Sequence, residues 1–164
     1  RMGLSSGVSG RAGYRTQGPE PSGALRSRAA GLGFRRMIVG SGIDVVEIAR
    51  VERALARSQG RFEARVFTPE EQAYCRRFAR PGPHFALRFA AKEAVMKAVG
   101  TGWARGVRWA DIEVVRDATG ASSVRLHGAV GTIAASRGAL RAHLALSRSR
   151  SHAVAVVLLE GSPS

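Results

Sequence analysis

The chain has 164 residues, with 26 Lys plus Arg against 12 Asp plus Glu and a formal net charge of +14. That length fits one domain, or one domain with a tail, and an apolar content of 45% suffices for a packed core, which argues against wholesale disorder. The longest aliphatic run, Ala153–Leu159, falls far short of the roughly 20 residues of a membrane-spanning helix, and the single cysteine, Cys75, rules out an internal disulfide or a multi-cysteine zinc site.

Residues 1–36 hold seven Arg, eight Gly and five Ser against one acid, Glu20, and so carry +6 of the charge. They lack a sustained apolar period and are expected to be a disordered extension, or a stretch upstream of a start at Met37. Rich in Arg and poor in acid, they look superficially like a transit peptide, but no uninterrupted apolar segment makes them a secretory signal. The folded domain is expected over residues 37–164.

From Met37 the pattern changes. Met37 to Val46 reads as a short buried strand punctuated by glycine, and Glu47–Ser58 as a helix. On that helix Ile48, Val51 and Leu55 share one face, and Arg50, Arg53 and Arg57 share the opposite one. Thr68-Pro69-Glu70-Glu71 is a helix start: Thr68 caps, Pro69 takes the first turn, and Glu71 completes a capping box. This helix is expected to run to about Phe78, with Pro81-Gly82-Pro83 forcing a break. Phe85–Val99 is the strongest helical segment, rich in Ala and broadly apolar, and Gly100 caps it. A loop with Trp103 and Trp109 follows, then strands over Ile112–Arg116 and Val124–His127 joined by a turn from Asp117 to Gly120. Ala129–Arg137 reads as a helix, and His143–Ser147 with Ala153–Glu160 as a closing strand pair. The short connections between the late strands favour an α+β fold with an antiparallel sheet over a doubly wound parallel one.

Three groups of residues bear on chemistry. Asp44 lies in an apolar segment, so its carboxylate needs a metal, a cation or backbone N–H groups, or else it caps the helix that follows. Lys92, Glu93 and Lys97 stand on the central helix and are the second group; the only lysines of the chain are in it. Glu93 and Lys97, four apart, are either a surface ion pair or, on so apolar a helix, charges facing a site. Together, Asp44 and Glu93 suit Mg²⁺, Lys97 suits phosphate, and Gly100-Thr101-Gly102 lets backbone approach a polyphosphate. The third group, the Arg50/Arg53/Arg57 stripe continued by Arg61 and Arg65, is either a solvated face or a docking surface for an acidic partner. His84, His127, His143 and His152 have no metal-ligand spacing, and Cys75 has no neighbouring base to activate it.

Three runs carry a family resemblance: Gly42-Ile-Asp44-Val-Val-Glu47, Arg65-Val-Phe-Thr68-Pro-Glu-Glu71, and Arg88-Phe-Ala-Ala-Lys92-Glu93-Ala-Val-Met-Lys97-Ala-Val-Gly-Thr-Gly102. With Trp109–Val114, the Asp117–Gly120 turn and the closing strand to Glu160, they resemble the bacterial 4′-phosphopantetheinyl transferases of the holo-(acyl-carrier-protein) synthase type over about Met37–Glu160. The resemblance implies that fold, and transfer of the phosphopantetheine arm of coenzyme A to a serine of apo-acyl carrier protein. It implies Mg²⁺ on Asp44 and Glu93, and catalytic roles for Asp44, Glu93 and Lys97. Coenzyme A would meet Arg88, Lys97, Gly100, Thr101, Gly102, Ser147 and Arg148. Carrier protein would meet Arg50, Arg53 and Arg57. A cytoplasmic homotrimer with sites between subunits, binding neither nucleic acid nor membrane, is implied as well.

One position departs from the family pattern. Members of this type commonly carry Ser-x-Ser-His before the last hairpin, where this chain has Arg148 in place of the His, with His152 four residues later. That leaves open a relative that binds coenzyme A without turnover. A basic nucleic-acid-binding protein is the alternative from charge alone, but aromatics are only 6% and no recognisable module is present.

Overall fold

Residues 36–100, 102, 106–117 and 119–162 are described by a computed structural model, all within one compact unit, Gly33–Ser164. Of the expected extension, only Arg36 falls among them; its Nη1 donates to Glu160 Oε1 at 3.0 Å. The elements run β1 Met37–Glu47, α1 Ile48–Arg57, α2 Arg61–Val66, α3 Pro69–Arg76 and α4 Gly82–Val99. A 3₁₀ turn at Trp109–Asp111 leads into β2 Ile112–Arg116, β3 Ser122–Leu126, α5 Gly128–Ser136, β4 Ala139–Arg148 and β5 His152–Gly161. The strands form a three-stranded antiparallel sheet in the order β1-β5-β4 and a separate β2-β3 pair. The fold is therefore α+β with antiparallel pairing, as the short connections imply.

The central helix is the hub. One side of α4 packs on the inner face of β1 and β5, where Ala153, Ala155, Val157 and Leu159 alternate inward. The other side carries the buried lysine Lys92, described below. α4 starts at Gly82 rather than Phe85, because Pro83 sits in the first turn, where its missing N–H has no intrahelical role. The proline break is thus a single cap residue, Pro81. Helix α2 has no counterpart in the apolar pattern. Its Phe62 joins Phe67, Phe85, Phe89 and Trp109 in one chain of ring contacts, so packing holds a segment too short to be stable alone. α3 ends at Arg76, two residues short of expectation, and β4 extends well beyond His143–Ser147.

Strand β1 corrects the expectation of a buried strand. Among the described residues it is an edge strand, paired with β5 alone of the strands, with Val46 buried but Ile43 57% and Val45 58% exposed. Gly40 and Gly42 lie on its inner face. A Cβ at Gly42 would stand 2.0 Å from the Ala94 carbonyl oxygen, and one at Gly40 2.4 Å from that of Ala98. Only glycine at both positions lets the strand touch the backbone of α4.

Lys92 has no exposed surface. Its ammonium pairs with Glu71 Oε2 at 2.7 Å and donates to the carbonyls of Trp109 and Ile112. Glu71 is equally buried. Its Oε2 also accepts from Thr68 N at 2.9 Å, completing the capping box, and its Oε1 accepts from Val114 N at 2.9 Å. Burial pulls the Lys92 pKa below the ordinary lysine range, and the charge and hydrogen bond of Glu71 oppose that shift. One pair thus joins α3, α4, the 3₁₀ turn and β2. Breaking a buried pair strands the remaining charge, at a cost of roughly 3–5 kcal/mol. Glu71→Gln or Lys92→Met should therefore lower the urea-unfolding free energy by about that amount, with the double variant losing less than the sum of the two.

Candidate active site

The inner-face alternation of β1 continues from Gly40 and Gly42 to Asp44, which pairs in register with Ala155 of β5. The glycines bring the strand against α4, and Asp44 consequently faces that helix. Lys97 Nζ donates to Asp44 Oδ1 at 2.8 Å and to the Ile43 carbonyl at 2.9 Å. Asp44 therefore does not cap α1; the N-cap there is Glu47, with no side-chain cap bond. Lys97 likewise turns to Asp44 across the strand–helix contact instead of closing a hydrogen bond with Glu93.

Glu93 stands one turn before Lys97 and is half-buried. Burial raises its pKa, and so does the nearby Asp44 carboxylate; Lys97 and Arg50 pull it down by less. Three other expected site residues, Asp44, Lys97 and Arg50, are thus close enough to act on Glu93 electrostatically. The mutual strain of two carboxylates is what a divalent cation relieves. Among the described residues no group of three or more His, Cys, Asp or Glu forms a metal site. Asp44 and Glu93 are two carboxylates that could contribute to holding a hard divalent cation such as Mg²⁺, which typically takes one or two carboxylates and completes its shell with phosphates and water.

Lys92 is not part of this cluster. It points into the core, to Glu71. Gly100 is the left-handed cap of α4 (φ 69°), with the Arg137 guanidinium packed against it, and Gly102 is exposed with φ 53°. Thr101 and Trp103 lie outside the described residues. Arg50, Arg53 and Arg57 are exposed along α1, with Arg53 3.8 Å from Glu47. Ser147 and Arg148 end β4 and are exposed. His152 starts β5 and bonds Ser151 Oγ through Nδ1 at 2.9 Å.

Arg88 belongs to a second region. It is only 4% exposed and lines a cavity of about 770 Å³ with Tyr74, Arg77, Glu113, Arg116 and Thr119. His84 lies close by, stacked on Phe78 at 3.6 Å. Burial lowers the His84 pKa, with further lowering by Arg148, Arg88 and Arg116, so these cations share one neighbourhood. The sequence reading missed Tyr74, Arg77 and Arg116. The signal for the first two is the i, i+3 spacing of Tyr74 on α3 and Arg77 at its C-cap, which puts ring and guanidinium on one face, while Arg116 carries no local signal.

Comparison with known proteins bears on this arrangement. The model of the 4′-phosphopantetheinyl transferase superfamily matches residues 40–157. The chain is 46% identical to the holo-(acyl-carrier-protein) synthase of Koribacter versatilis, over 76% of this chain and 99% of that protein. It is 48% identical to that of Anaeromyxobacter dehalogenans, over 77% and 98% respectively. The crystal structure of the Neisseria meningitidis synthase superposes with a TM-score of 0.69 at 33% identity, covering 75% of this chain and 98% of that one. The Bacillus anthracis synthase, solved in complex with coenzyme A (3′,5′-ADP), gives a TM-score of 0.63 at 38% identity, covering 77% and 99%. Fold, motif placement and sequence agree: the chain belongs to the 4′-phosphopantetheinyl transferase superfamily.

Proposed function

We propose that this chain is a holo-(acyl-carrier-protein) synthase. It transfers the 4′-phosphopantetheine of coenzyme A to a serine hydroxyl of apo-acyl carrier protein and releases adenosine 3′,5′-bisphosphate. The observation that carries this reading is the Asp44–Lys97–Glu93 cluster at the β1–α4 contact, in a chain 46% identical to a protein of that name. The serine oxygen forms a bond to the β-phosphorus as the bond from that phosphorus to the bridging oxygen breaks. The serine proton must leave, and the bisphosphate departs with the electron pair.

Each residue takes a role that its surroundings suit. Asp44 and Glu93 would hold Mg²⁺, which when bound offsets the pyrophosphate charge. Glu93, or a water that it orients, takes the serine proton. The Lys97 side chain is 52% exposed, so its ammonium is free to swing from Asp44 to the departing phosphate. Arg88, Gly100, Thr101, Gly102, Ser147 and Arg148 contact coenzyme A, and Arg148 supplies a permanent cation with two parallel donors where relatives commonly carry His. The exposed Arg50, Arg53 and Arg57 receive the acidic carrier protein.

The sheet supports assembly into a homotrimer. The outer face of β1 and β5 exposes Ile43, Val45 and Leu158, an apolar surface that a second and third copy would cover in a homotrimer. Among the described residues no helix is long and apolar enough to cross a membrane, and Cys75 is buried as a free thiol, in keeping with work in the cytoplasm.

Incubation of apo-acyl carrier protein with coenzyme A, Mg²⁺ and this protein should add about 340 Da to the carrier, the mass of the phosphopantetheine group. Asp44→Ala and Glu93→Gln should lower kcat by roughly 10²–10⁴-fold with an unchanged melting temperature. Full activity in either would remove the site assignment, and coenzyme A binding without any mass gain in the wild type would remove the transferase. Arg50→Glu should raise KM for carrier protein at least tenfold more than KM for coenzyme A, since roughly 1.4 kcal/mol of lost charge complementarity is tenfold. Val45→Lys should convert the trimer to monomer in sedimentation, because it places a charge on the apolar face.

A further inference from the structure

Several like charges, Arg88 among them, share one cavity wall, and a role in coenzyme A binding does not account for what keeps them together. Tyr74 of α3 stands among them. Its ring centroid is 4.0 Å from Arg88 Cζ, 4.7 Å from Arg77 Cζ and 5.9 Å from Arg116 Cζ. Its hydroxyl accepts from Arg116 Nη1 at 2.7 Å, while Arg116 Nε donates to the Gly120 carbonyl at 2.8 Å. Two anchors thus set the plane of the Arg116 guanidinium. Arg88 is buried; its Nη1 donates to the His84 carbonyl at 3.4 Å and its side chain also bonds that of Cys75, while its Nε has no hydrogen-bond partner.

The acids around the cavity do not neutralise this wall. Glu113 faces Arg125 at 4.0 Å and His127 at 3.4 Å. Asp117 Oδ1 accepts from the Thr119 hydroxyl and from the backbone of Thr119 and Ala121 inside its own turn. Glu70 sits in the first turn of α3, at the rim. Three guanidinium groups gathered around one aromatic ring, one of them buried with an unpaired Nε, form a site prepared for a compact dianion. Arg forks match the oxygens of a phosphate monoester, and the π-face holds cations together that would otherwise repel.

We propose that Tyr74 is a positioning residue whose ring and hydroxyl hold Arg77, Arg88 and Arg116 in place to bind one phosphate monoester dianion, the 3′-phosphate of the donor. The naming of the donor rests on the transferase reading; the anion site itself does not.

Calorimetric titration with adenosine 3′,5′-bisphosphate and with adenosine 5′-monophosphate tests the site without turnover. The wild type should bind the bisphosphate at least about tenfold more tightly, and Tyr74→Leu should erase most of that preference, since charge-assisted hydrogen bonds are each worth roughly tenfold or more. Tyr74→Phe keeps the ring and should retain the preference within about fivefold. In steady state Tyr74→Leu should raise KM for coenzyme A about tenfold or more, leaving its kcat and the KM for 3′-dephospho-coenzyme A within about threefold. Equal effects on both donors, or a fall in kcat at constant KM, would overturn the proposal. Should Tyr74→Leu fail to fold, Tyr74→Met carries the same expectation, since it keeps apolar bulk without the ring or the hydroxyl. A wild type that transfers phosphopantetheine without preferring the bisphosphate refutes the role of Tyr74; one that prefers the bisphosphate without transfer refutes the transferase alone.

Discussion

The buried pair of Lys92 and Glu71 is the interaction on which the rest of the domain depends. An ammonium and a carboxylate withdrawn from water are tolerable only when every donor and lone pair has a partner. Here Lys92 finds one carboxylate and two carbonyls, and Glu71 finds two backbone N–H groups besides the ammonium. Those partners come from α3, the 3₁₀ turn and β2, so α4 has one azimuth and one depth. With that rotation set, Glu93 is delivered toward β1, and Arg88, one turn before Lys92, toward the cavity beside α3.

Close approach supplies the second constraint. Without side chains at Gly40 and Gly42, β1 lies directly on the Ala94 and Ala98 turns of α4. Asp44 then meets Lys97 across a contact between residues 53 apart in sequence. The carboxylate that remains beside them, Glu93, has its pKa raised by burial and by Asp44. The Mg²⁺ and proton-transfer roles that we propose follow from this tension between two acids that share too few cations.

Charge divides along similar lines. The net +14 first suggests a nucleic-acid partner. Folded, three of the described arginines, Arg50, Arg53 and Arg57, form an exposed stripe on α1, and three others, Arg77, Arg88 and Arg116, gather around Tyr74. These are two recognition surfaces of different character. An exposed stripe offers steering to a large acidic partner, whereas guanidinium groups gathered around one ring, with Arg88 among them buried, offer specificity for one compact anion.

Much of this was legible in the residues. The capping box from Thr68 to Glu71, the glycine cap of α4, the two faces of α1 and the antiparallel pairing of the late strands are local or periodic signals, and each stands where the pattern puts it. Asp44, Glu93 and Lys97 stood out because charges in apolar segments are costly. Less legible were the half-exposed edge position of β1, the helix α2, and the destination of Lys92. A strand pattern cannot report which neighbours will cover it, and a six-residue helix draws its stability from aromatic contacts made elsewhere in the chain. The sequence by itself determined which segments form helices and strands and which charges require partners, because propensity, capping and desolvation act within a few residues. Only the tertiary structure decided the partners: it sent Lys92 to Glu71, Lys97 to Asp44 and three arginines to Tyr74, because ion pairing and cation–π contacts depend on distances that chain folding alone creates.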